Sequence, residues 1–264
     1  MFDGAGVARA LPWAAAAVLL VLAGTFVASR IAGKHSVIDT AWGLLFAAVA
    51  VAAFVTSSGH GDPVRRVLLL VLPGVWGLRL AVHIGARTVG KDEDPRYAAL
   101  LAKARGNPTW YAIRMVYALQ GLLAGLVAAP IVVGAFERGP VRTLAWLGVA
   151  IWLVGVFFEA VGDAQLERFR ADPANKGTVM QTGLWRYTRH PNYFGDACVW
   201  WGIFLVAAER WPGVLTVPAP ILMTLLLTRG SGARIMERHM AGRPGWAEYV
   251  ARTSGFFPRP PRRA

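Results

Sequence analysis

The stretch 182-TGLWRYTRHPNYFGD-196 gathers Trp185, Arg186, Tyr187, Arg189, His190, Pro191, Asn192, Tyr193 and Asp196 in a chain otherwise rich in Ala, Leu, Val and Gly. Arginine forks match phosphates at two points, while carboxylates and amides hold ribose hydroxyls and ring edges. A tyrosine can stack or donate a proton to a hydrogen bond. Pro191 biases His190 towards an extended conformation, so Asn192 and Tyr193 begin the next helix. Upstream, Glu159, Asp163 and Arg170 follow i, i+4 and i+11, which puts them within about 40° of one another on a helix. Arg79, His83 and Arg87 form a second stripe at i, i+4 and i+8, and Asp39 sits within 34-KHSVIDTAWG-43. Ionisable groups at membrane depth are costly and point to function. Singly, each has a plainer reading: Arg87, Arg168 and Arg186 as snorkelling cations, His83 as a core histidine, Trp110, Trp185 and Trp211 as an interfacial belt. Together they suit a large anionic cofactor.

The elements that must position these residues are spanning helices. The chain has 264 residues, 55% hydrophobic and 16% charged, with a mean hydropathy of +0.44. That balance belongs to an all-α polytopic membrane protein. Hydrocarbon forces the backbone to satisfy its own hydrogen bonds, so apolar runs of about 18 residues or more read as helices. About seven are expected, at 11–29, 38–56, 65–85, 111–136, 142–162, 193–208 and 211–229, in a single integral membrane domain over 1–264. The first lacks a basic leading region and reads as a retained anchor. The single Cys198 rules out an intrachain disulfide.

The net charge of +13 is asymmetric. The segments 30–37, 86–110, 163–191 and 229–264 hold 20 of the 28 Lys and Arg, and the opposite segments hold 6. The positive-inside rule then puts the N-terminus outside and the C-terminus in the cytoplasm. The basic excess is thus a topology signal with attraction to anionic headgroups, and no nucleic acid is expected as a partner. No strand-borne GxGxxG, P-loop or metal-ligand spacing is present, so no metal is expected and any nucleotide must be held by the helices themselves.

The run 159-EAVGDAQLERFRADPANKGTVMQTGLWRYTRHPNYFGD-196, with 246-WAEYVARTSGFFP-258, resembles the C-terminal region of the steroid 5-alpha-reductase family, most closely its bacterial branch. The segments 35-HSVIDTAWG-43 and 76-WGLRLAVHIGART-88 extend the likeness. The resemblance implies a seven-helix membrane oxidoreductase that uses NADPH to reduce a carbon–carbon double bond conjugated to a carbonyl in a lipid-soluble substrate. It makes 159–258 the cofactor-binding region, with Asp163 and Arg170 holding the cofactor from the fifth helix. Asn192 and Tyr193 would contact it from the sixth and Arg87 from the third, with Arg186, Arg189 and Tyr249 contributing from their positions. Two departures touch the substrate half: Ile84 stands where the family's steroid reductases have a Tyr, and no Gln-Glu pair lies in the second span. Glu159 stands where they have Asn. His83 and Asp39 are the catalytic candidates that remain on those spans. The family's distribution implies a bacterial inner membrane, with the cofactor site facing the cytoplasm. Arg189-His190-Pro191-x-Tyr193-x-Gly195 also resembles the motif of isoprenylcysteine and phospholipid methyltransferases, which bind S-adenosylmethionine. A non-catalytic lipid-binding protein is the third reading. The sequence carries no signal for oligomeric state.

Overall fold

The computed structural model describes residues 2–230 and 232–262. Every regular element among them is a helix, and the sole strand-like feature described is a parallel bridge between Thr188 and Ser254. In chain order the α-helices are α1 (Gly4–Ala32), α2 (Val37–Thr56), α3 (Pro63–Thr88), α4 (Pro95–Leu101), α5 (Pro108–Ala112), α6 (Leu119–Val127) and α7 (Ala129–Gly134). They continue with α8 (Thr143–Ala171), α9 (Pro191–Ala208), α10 (Pro218–Thr228), α11 (Ala233–Met240) and α12 (Trp246–Arg252). Six helical stretches are long and apolar enough to cross a membrane: Gly4–Ala32, Val37–Thr56, Pro63–Thr88, Pro108–Val127, Thr143–Ala171 and Gly213–Met240. The remaining expected span, 193–208, is helical as α9, but its first turns carry Asn192, Tyr193 and Asp196 and dilute its apolar character. The protein is an all-helical integral membrane protein.

The chain divides into two compact units, one of 1–146 with 203–219 and one of 147–202 with 220–264. In the first, Asp3 caps α1 by accepting from the Gly6 amide at 2.7 Å, and Gly33 closes it at φ 68°, a conformation open to glycine without Cβ strain. Asp62 caps α3 ahead of Pro63, which needs no donor at the first helical position. Gly43 and Gly77 meet face to face: a Cβ on either would fall onto the other's carbonyl oxygen, so the α2 and α3 backbones touch. Ile38, Leu45, Phe46, Leu69 and Trp76 fill the core beside them. The single run expected at 111–136 is interrupted. A π-helical turn occupies Ile113–Ala118, the helix stops at Val127, and α7 restarts around Pro130. Proline cannot donate to residue 126 and its ring crowds that carbonyl.

In the first turn of α3, Arg65 is fully buried. It donates to Val206 O at 3.2 Å, Gly139 O at 2.7 Å and Glu209 Oε2 at 3.0 Å. Glu209 also accepts from the Arg142 and Ala145 amides. Partial burial alone would raise the Glu209 carboxyl, but these amides and the Arg65 guanidinium outweigh it and hold it below the ordinary glutamate range.

In the second unit α8 and α9 approach through small residues. A Cβ on Gly195 would lie 2.5 Å from Gly155 O, and one on Gly202 would lie 2.6 Å from Gly148 O. Small residues are what bring membrane helices into backbone contact. At 1.5 Å per residue, the 29 residues of α8 run about 44 Å, longer than the roughly 30 Å of hydrocarbon. Its last turns carry Asp163, Glu167, Arg168 and Arg170.

Candidate functional site

The second unit holds most of the residues that the sequence singled out. The glycine contacts draw α8 and α9 together, so Glu159 and Asp163, one turn apart on α8, are almost fully buried at 3% and 7% exposure. Asn192, in the first turn of α9, donates from Nδ2 to Asp163 Oδ1 at 3.3 Å, and its own Oδ1 accepts from the Tyr193 amide at 3.0 Å. The Tyr193 ring stacks on the buried His190, with centroids 5.3 Å apart and planes 16° from parallel. Asp163, Asn192 and Tyr193 thus form one cluster of acceptors, donors and an aromatic face. Arg170 lies two turns farther along α8 and is exposed, as is Arg186 on the 3-10 turn Gly183–Arg186.

The loop before α9 is anchored by side chains that sequence reading alone did not place. Trp185 donates from its indole to Gly162 O at 3.0 Å, and Gln165 Oε1 accepts from the Leu184 amide at 2.9 Å. Tyr249 donates its hydroxyl to Trp185 O at 2.6 Å. Burial holds that phenol well above its ordinary titration range, so it remains a donor. Arg189 donates to Glu237 Oε1 at 2.9 Å, Thr253 O at 2.8 Å and Val250 O at 3.3 Å. His190 Nε2 lies 3.0 Å from the same Glu237 oxygen. The tail adds backbone ties, from the Arg189 amide to Ser254 O and from the Arg259 amide to Tyr187 O. Arg189 and Tyr249, read from the sequence as cofactor contacts, therefore have their polar atoms engaged in holding the loop to α11, α12 and the tail. Neither Glu237 nor Gln165 had a signal of its own, since each is one polar residue at an unremarkable spacing.

The first unit contains the other candidates. Asp39, in the first turn of α2, receives the Tyr97 hydroxyl on Oδ1 and the Arg96 guanidinium on Oδ2, the latter at 2.8 Å. Gln120 donates to the Tyr97 oxygen at 3.1 Å. Burial first, and the nearby Asp39 carboxylate second, push the Tyr97 phenol above its ordinary range. The 89–107 segment is tied across the helix ends that carry Asp39. Lys34 Nζ donates to Thr88 O and Lys91 O, and Glu93 accepts the His35 and Ser36 amides. On α3, His83 Nε2 lies 3.5 Å from Arg87 Nη1, with Arg87 exposed at the helix end. No group of three or more His, Cys, Asp or Glu able to hold a metal occurs among the described residues.

These features define a helical integral membrane protein with two polar clusters. The sequence model of a family described as proteins of unknown function (DUF1295) matches residues 25–253, and the chain belongs to that family, which includes steroid 5-alpha-reductase-like proteins. Searches of curated proteins and of solved structures return no match.

Proposed function

We propose that the chain is a membrane-embedded, NADPH-dependent reductase of an activated, enone-like carbon–carbon double bond in a steroid or another lipid-soluble molecule. The observation that carries this reading is the hydrogen bond from the half-buried Asn192 to the buried Asp163, between two helices in backbone contact. A buried carboxylate beside a half-buried amide suits the ribose and carboxamide edges of a dinucleotide, and the exposed Arg170 and Arg186 of the same unit suit its phosphates. The donor set fits the cofactor. When bound, NADPH supplies a hydride from its dihydronicotinamide. Within the second unit Asp163, Asn192 and Tyr193 would orient the cofactor, Arg170 and Arg186 would neutralise phosphate, and Arg189 and Tyr249 fix the loop from which α9 starts. His83 remains a candidate on α3. In the first unit Asp39 has a partner for this role: the Tyr97 hydroxyl donates to it, so the pair holds a proton that would be available to a substrate oxygen, a contribution of about 3 kcal/mol from one well-placed donor. The charge distribution favours a cytoplasmic cofactor site, and the family to which the chain belongs supports the reaction class.

The test is calorimetric titration of detergent-purified protein with NADPH, NADH and S-adenosylmethionine, alongside Asn192→Ala and Asp163→Asn. Saturable NADPH binding, weakened at least about tenfold in both variants, is expected from loss of this part-buried hydrogen bond to a carboxylate. Binding of S-adenosylmethionine without NADPH would replace the reductase with a methyltransferase. Silence from all three would leave a lipid-binding protein.

A further inference from the structure

The tail region 229–264 contains eight arginines, no lysine and two acidic residues, Glu237 and Glu248. Seven of the eight arginines are described (Arg229, Arg234, Arg238, Arg243, Arg252, Arg259 and Arg262), and every one is exposed. None of the seven pairs with a carboxylate among the described residues; of the tail's two acids, Glu237 is engaged by Arg189 and His190. So much unneutralised arginine is more than a soluble-facing tail needs, and arginine is the cation that matches phosphate at two points.

The shape of α11 says where those charges point. At 100° per residue, Ala233 and Glu237 share the side that faces the protein, and Ala233 is buried. Arg234 and Arg238 share a second side, one turn apart. Ile235 and Met236 occupy a third, with the exposed His239 between them, and are 40% and 44% exposed. The helix follows the apolar α10 after Arg229, Gly230 and Gly232 and forms the last, arginine-bearing part of the helical stretch Gly213–Met240. The same chemistry recurs where the tail crosses the loop. Phe257 and Tyr187 are 60% and 42% exposed, with Arg186, Arg259 and Arg262 close by in the chain.

We propose that α11 is an interfacial helix seated on anionic lipid: Ile235 and Met236 enter the headgroup boundary, and Arg234, Arg238 and their neighbours hold lipid phosphates. A helix with one apolar side and an arginine side at a membrane rim has the composition for this, and a basic cluster beside a span is attracted to anionic headgroups. The inward side of the same helix carries Glu237, which holds Arg189 and His190. Lipid composition therefore sets how firmly the loop before α9 is held, whatever reaction the protein catalyses.

The test uses the full chain with Cys198→Ala and Ile235→Cys, the added thiol carrying an environment-sensitive fluorophore, in nanodiscs of phosphatidylcholine alone or mixed with phosphatidylglycerol. The expected result is a blue shift, loss of iodide quenching and gain of quenching by lipid-borne nitroxide in the anionic discs only. Salt at roughly 1 M, where the Debye length falls to about 3 Å, reverses it. Arg234→Gln with Arg238→Gln abolishes it while the protein keeps its elution volume and melting temperature. Inorganic phosphate added to the neutral discs produces no shift; a shift there would show a free-phosphate site and overturn the proposal. Identical spectra in both discs would overturn it too, as would protection that follows protein concentration and so reports a second copy on this face.

Discussion

Replacing Gly195 with alanine tests the contact on which the candidate site depends. The added Cβ would stand 2.5 Å from Gly155 O and 2.8 Å from the Glu159 amide, both backbone atoms that cannot rotate away. Ordinary van der Waals contact needs about 1 Å more, so α8 and α9 must part by that amount. Overpacking of this kind costs up to about 3 kcal/mol. The better helix propensity of alanine returns about 1 kcal/mol. The net loss of about 2 kcal/mol corresponds to a melting temperature lower by about 4–8 °C for a chain of this size. Gly125→Ala is the matched control. It lies on a spanning helix with nothing within 4 Å of the new Cβ, so the propensity gain should appear alone as a rise of about 2–4 °C. Both can be read by fluorescence-detected size-exclusion after graded heating. The parting helices also separate Asp163 from Asn192, so NADPH binding should weaken in Gly195→Ala and not in Gly125→Ala. Equal melting temperatures for the two variants would refute the backbone contact, and with it the account of why the acids are buried.

Arg65→Met should lower stability by about 3–5 kcal/mol, because it leaves Glu209 and several carbonyls without their donor; Arg65→Lys should not restore it, since a point charge cannot serve the three directions at once. The Glu209 carboxyl is held below its unfolded value, so its contribution is complete above about pH 4.3 and is lost as the pH falls through the lower folded value. Glu209→Gln should flatten that acid limb of a melting-temperature profile and leave the neutral region uniformly lower. Tyr97→Phe removes the donor to Asp39 and the acceptor of Gln120, costing about 1–3 kcal/mol. NADPH affinity should be unchanged, and any loss should fall on turnover. Arg189→Lys should leave the Thr253 and Val250 carbonyls unserved and make the 253–262 tail the first site of limited proteolysis.

The spans were legible because hydrocarbon leaves a long apolar run no alternative to helix, and 38–56 and 65–85 reappear within α2 and α3 to within a few residues at each end. The meeting of Asp163 with Asn192 was half legible. The spacing put Asp163 on a helix face and Pro191 fixed where α9 starts, but that the two touch depends on Gly155 and Gly195, whose pairing across helices has no local mark. The Asp39–Tyr97 contact was not legible. It arises because 89–107 folds back over two helix ends, and such a return is set by single long-range bonds from Lys34 and Glu93 rather than by any periodicity. The short α4 was signalled only by 94-DP-95, an N-cap followed by a proline at the first helical position.

The ties between the loop before α9 and the tail also fix a sequence of events in time. Arg189 and Thr188 wait for partners that lie 61 to 68 residues later in the chain. At roughly 5–20 residues per second of synthesis, the ribosome needs several seconds to deliver them. Once α9 itself has been made and before those partners arrive, α8 and α9 can be side by side in the bilayer, with Asp163 and Asn192 in place, while the loop leading into α9 still hangs untethered. A ribosome paused between codons 240 and 250 would therefore hold a nascent chain whose spanning helices are made and whose loop before α9 is still open to chaperones or proteases.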